Sequence, residues 1–227
     1  MTLFDYYFKS FVFTQDISFL ITVIVGIKLL KHFDFSLKIF FALICIALIS
    51  NIFLFTYAWI LKKQNLFIIN IYSLLEFALL SLFYITIINS LFFRRLIFLL
   101  LLIYILTSLF YFYTNSLSSM AYYKIAALET FLISCYALSF FIHSMNYNPK
   151  KNSTELPFFW INSGILIYYM PFILIFLFFE YLNKTSSEFL IGLINNSTNI
   201  LTLVFITLII IGFLKSKSQN PNINLKS

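Results

Sequence analysis

Successive apolar runs, each near the length needed to cross a bilayer, constrain this chain more than any other feature. They fall at residues 39–60, 66–88, 96–113, 121–142, 157–181 and 190–214, with a shorter one at 17–30. About 20 apolar residues in a helix cross some 30 Å of hydrocarbon. In lipid every backbone N–H and C=O must be satisfied within the segment, so such runs read as helices. The expectation is an all-α polytopic membrane protein, a bundle of seven transmembrane helices forming one domain over residues 1–227. Composition closes the soluble alternative: only 10% of residues are charged and mean hydropathy is +0.97, against about 25% charged in soluble domains.

Residues 1–16, MTLFDYYFKSFVFTQD, are aromatic but interrupted by Asp5, Lys9 and Asp16, and read as an interfacial segment. The first apolar run has its basic residues after it (Lys28, Lys31, Lys38), which is the reverse of a cleaved signal peptide and predicts a retained helix. Residues 215–227 read as a polar cytoplasmic tail, too short for a catalytic domain, so signalling would call for a separate partner protein. Lys and Arg set the orientation. With the N-terminus outside, ten lie on the inner side and five on the outer, so the positive-inside rule favours N-out/C-in. The net charge of +7 then serves orientation and contact with anionic membrane lipids, and points to no nucleic acid. Bacterial inner membrane is the expected location.

Two carboxyl groups stand out. Glu76 lies in the middle of the run LFIINIYSLLEFALLSLFYITII and Glu129 in that at 121–142. An ionisable group at such depth is costly and demands a partner or a function. Counting about 1.5 Å per residue from the span ends brings Glu76, Glu129, Asn51, Tyr168, Tyr169, Asn195, Asn196 and Asn199 to the central and outer parts of the membrane. The sharp reading is a shared pocket lined by Asn51, Glu76, Glu129, Tyr168, Asn195 and Asn199. The bland reading is interhelical hydrogen bonding, worth about 0.6 kcal/mol per contact on average. No Lys or Arg shares the level of the two acids, Lys124 being nearer the surface, so at least one is expected to be protonated or to meet a cation. Pro171 removes a hydrogen bond within its helix and predicts a kink or hinge. Gly164, on the same helix, is expected to allow close helix contact. Trp59 and Trp160 fit an aromatic belt, and His143 is placed to meet the last carbonyls of its helix.

Several chemistries lack their residues. Cys45 and Cys135 lie within spans and read as packing groups. Two His residues argue against a multi-His metal centre, and no metal or cofactor is expected. No Gly-rich phosphate loop, HExxH or Cys-x-x-Cys occurs, and the last helix carries no Lys for a retinal Schiff base.

The runs IYSLLEF (71–77), Glu129 followed by LISCYALSFF, PFFWINSGILIYY (157–169) and NNSTNILTLVFITLIIIGF (195–213) resemble a family of small bacterial seven-helix inner-membrane proteins. Similar segments precede the kinase domain in some sensor histidine kinases. The family has Gly after the tyrosines of the sixth helix, where this chain has Met170 and Pro171. It often has Trp and His near the start of the seventh, where this chain reads FLIGLINNSTN. The resemblance implies a sensory or accessory membrane module. Two alternatives stay open: an intramembrane lipid hydrolase with a Glu76/Glu129 carboxyl pair, and a proton-coupled carrier.

Overall fold

A computed structural model describes residues 3–57, 66–114, 119–147, 153–178, 181–182 and 188–217. Among these lie seven long α-helices: α1 (Leu3–Leu29), α2 (Phe35–Phe55), α3 (Leu66–Ile87), α4 (Leu91–Thr114), α5 (Ser119–Tyr147), α6 (Pro157–Leu177) and α7 (Glu188–Ser216). Six of them, α2 to α7, contain a described stretch long and apolar enough to cross a membrane. The protein is therefore an all-α, multi-pass membrane protein.

The helix ends follow from local chemistry. Asp34 caps α2, its carboxylate accepting the Leu37 N–H at 2.8 Å. We expect Asp34→Ala to cost about 1 kcal/mol, the usual worth of an N-cap, read as a lower unfolding midpoint in detergent. Pro157 opens α6 at a position where its missing N–H costs nothing. Arg94, in the first turn of α4, donates from Nε to the Ile88 carbonyl at 2.7 Å and so satisfies an acceptor just past the end of α3. The spacing places the start of the fourth span at Leu96; the helix begins at Leu91 and takes in both arginines. At the other boundary, α1 runs unbroken from Leu3 into the first apolar run, so residues 3–16 are helical.

Successive helices are neighbours. The circuit α1–α2–α3–α4–α5–α6–α7 closes through α1 against α7, and α3 also packs on α5. Glycines set the close approaches. A Cβ at Gly26 of α1 would collide with the Phe41 ring of α2. One at Gly164 of α6 would meet Phe205 and Leu208 of α7 at 3.3 Å, the close contact expected of that glycine. Gly212 of α7 reciprocates against Ile161 and Pro157 of α6. Aromatic rings fill one end of the core, where Phe33, Phe40 and Phe41 gather on Phe213 of α7 and Phe40 meets Phe83 of α3 at 5.1 Å.

Many of the described Ser and Thr hydroxyls are satisfied within their own helix. Thr22, Thr130, Ser134, Ser139, Ser163 and Thr202 each donate to the carbonyl four residues earlier. Such back-bonding is the low-cost solution in a dry environment. It leaves a smaller set of polar side chains to reach between helices.

Candidate functional site

That set converges on α3. Glu76 sits one turn beyond Tyr72, and residues four apart share a helix face. The Tyr72 hydroxyl donates to Glu76 Oε1 at 2.9 Å, and Tyr169 of α6 donates to the same oxygen at 2.5 Å. On the neighbouring face, Ser73 Oγ meets Glu129 Oε2 of α5. The Tyr104 hydroxyl of α4 meets the same oxygen at 2.9 Å and Ser73 Oγ at 2.8 Å. Glu129 is 4% exposed, and its Oε1 has no hydrogen-bond partner among the described residues. The two carboxyls thus bond to different hydroxyls, and no hydrogen bond joins one to the other. Together they tie α3, α4, α5 and α6 at one level.

A second link fixes the register of α3 on α6. Tyr84 donates to Asn162 Oδ1 at 2.8 Å, and Asn162 Nδ2 donates to its own helix at Phe158 O. Tyr84 lies eight residues after Glu76, and Asn162 seven before Tyr169, about 12 and 10 Å along their helices. The two helices are antiparallel and in register. Both groups are fully buried, so a lone partner would be stranded. In a double-mutant cycle, Tyr84→Phe and Asn162→Ala should show a coupling of about 0.6–1.7 kcal/mol, the range for hydrogen bonds between membrane helices. A coupling near zero would mean that this pair does not hold α3 on α6.

The residues expected to line a pocket divide. Glu76 and Glu129 hold the centre. Tyr168 lies beside them, stacked on Phe205 of α7 (centroids 4.9 Å) and with its hydroxyl near Thr202 and within the field of Glu76. Its neighbour Tyr169 makes the direct bond to Glu76. Asn51 is half-buried in α2 and takes no part in these hydrogen bonds. Asn199 pairs instead with Gln15 of α1, joining α7 to α1. Asn195 is in α7, and its side chain lies outside the described residues, as does Trp59. Pro171 sits inside a continuous α6, where its missing N–H leaves the Ile167 carbonyl without its usual donor.

Trp160 donates to the Thr154 carbonyl at 2.8 Å, fastening the segment before α6. His143 lies edge-on to Phe93 (4.8 Å), and its Nδ1 is buried without a partner among the described residues, so that nitrogen does not reach the helix-end carbonyls.

Four hydroxyl residues at the centre were not assigned to the site from sequence: Tyr72, Ser73, Tyr104 and Tyr169. Tyr72 and Ser73 carried a signal, since three- and four-residue offsets place them beside Glu76. Tyr104 carried none, being one aromatic among many in a lipid-facing helix.

Chemically, the centre is a set of hydroxyl donors around two acids, with no described Lys or Arg bonded to either. No three His, Cys, Asp or Glu side chains come together among the described residues. Such a centre can hold, accept or release protons. No family model, curated protein or solved structure matches the chain.

Proposed function

We propose that this membrane protein is a sensory or accessory module whose stimulus acts on the carboxyl centre and is read out as movement of α6. The observation that carries this is the Tyr169–Glu76 bond, which fastens α6 to α3 two residues before Pro171. Hydrogen bonds to an ionised acceptor are roughly twice as strong as neutral ones. An ionised Glu76 therefore grips Tyr169, and a protonated one grips it less. A small or lipidic ligand that engages the same carboxyl would act likewise. Pro171 supplies the weak point about which the outer half of α6 can respond.

The same proposal places the chain in a bacterial inner membrane with seven spans, N-out/C-in, as its Lys and Arg distribution favours. It assigns the output to a partner protein in contact with the cytoplasmic ends. Resemblance to the membrane segments of sensor kinases supports this reading over the carrier. The hydrolase reading would require the two acids to share a proton, and here they bond to separate hydroxyls.

Hydrogen–deuterium exchange across α6, in lipid nanodiscs, is the test. After correction for intrinsic rates, acidification should speed exchange around Met170–Leu174 in the wild type and leave it unchanged in Glu76→Gln. Equal behaviour of the two proteins at every pH would remove Glu76 as the trigger.

A further inference from the structure

Glu129 and Glu76 differ in a way that proton counting exposes. Glu76 Oε1 only accepts: two phenol hydroxyls bring two protons for two contacts. Around Glu129 there are three mutual contacts, among Oε2, Ser73 Oγ and Tyr104 OH. Serine and tyrosine supply one proton each. With Glu129 ionised, two protons serve three contacts, and one pair of buried oxygens must face each other lone pair to lone pair.

We propose that Glu129 is a proton-binding site, its carboxyl kept neutral by a closed ring of three O–H donors. A proton on Oε2 completes the count. Oε2 donates to Ser73, Ser73 to Tyr104, and Tyr104 back to Oε2; the reverse sense balances equally. Every oxygen then donates once and accepts once. The second, independent observation is Glu129 Oε1, buried and without a partner among the described residues. On a carboxylate this atom would carry half of an uncompensated charge; on a neutral acid it is a carbonyl oxygen, far less costly to bury.

Among the described residues, the groups facing Glu129 from the helices packed around it favour the same state. From α3 come Ser73, Tyr72 and the acid Glu76, from α4 Tyr104, and from α6 Tyr168. None is a cation. On α5 itself Lys124 is exposed, more than a turn away. This inference deepens the proposed function, since it makes Glu129 the fixed neutral anchor and leaves Glu76 as the responsive acid.

Infrared spectroscopy of the protein in nanodiscs, with and without carboxyl-labelled glutamate, decides it. At neutral pH the wild type should show a label-sensitive protonated-carboxyl stretch. The band should vanish in Glu129→Gln, persist in Glu76→Gln, and shift in frequency in Ser73→Ala, which removes one ring member but leaves the acid. Glutamine is the nearest isostere of the acid and its amide can donate to Ser73, so Glu129→Gln should still fold. A wild type with no such band, or a band lost in Glu76→Gln and kept in Glu129→Gln, overturns the proposal. The outcome is separate from that of the exchange test: a Glu129 band with an unresponsive α6 would leave this site standing and remove the sensory reading.

Discussion

Glu129→Ala should destabilise the bundle by about 3–5 kcal/mol, while Glu129→Gln should stay within about 1 kcal/mol of the wild type. Truncation leaves a cavity in a packed core, typically about 2–5 kcal/mol for a side chain of this length. It also removes two interhelical hydrogen bonds, about 0.6 kcal/mol each on average, and strands hydroxyls that the carboxyl had joined. Glutamine keeps the volume and offers an N–H donor where the neutral acid offers O–H. The free thiols of Cys45 and Cys135, both half-buried within helices, give a direct readout through their labelling rate across a denaturant series. Equal losses for alanine and glutamine would mean that the charge of Glu129, rather than its shape and hydrogen bonds, stabilises the bundle.

Gly212→Leu should be the most damaging substitution away from the polar centre, at the upper end of the roughly 1–3 kcal/mol that overpacking costs. The first added carbon would already lie 2.8 Å from Ile161 Cγ1 and 3.0 Å from the Pro157 carbonyl oxygen. That oxygen belongs to the backbone at the start of α6 and cannot swing aside as a side-chain tip could. The gain of about 1 kcal/mol from replacing a helical glycine is too small to offset the clash. The same thiol-labelling assay reads the loss. A Gly212→Leu protein as stable as the wild type would mean that α6 and α7 separate at little cost.

The helices were legible because lipid allows few solutions for a run of about 20 apolar residues, and the short polar breaks mark their ends. The level of the acids was legible too. Counting from span ends put Glu76 and Glu129 at similar depth, and Ser73 of α3 does meet Glu129 of α5. Rotation about each helix axis was not legible, because nearly every face is apolar and no polar stripe marks the inside. That is why Asn199, at a suitable depth, faces Gln15 of α1 rather than the acids, and why Tyr169 rather than Tyr168 makes the bond to Glu76. Tyrosine is abundant here, with 15 in the chain, so only packing shows which hydroxyls serve the centre.

The distance between α3 and α6 beyond Pro171 tests the coupling of Glu76 to α6 most directly. The register of the two helices puts Ile71 and Leu174 at the same level, and both are exposed. Spin labels at Ile71→Cys and Leu174→Cys, with the native cysteines replaced by alanine, report that distance in nanodiscs. If Glu76 is the trigger, the distribution broadens and lengthens on acidification in the wild type and stays fixed in Glu76→Gln. A wild-type distribution that does not change with pH would contradict that role.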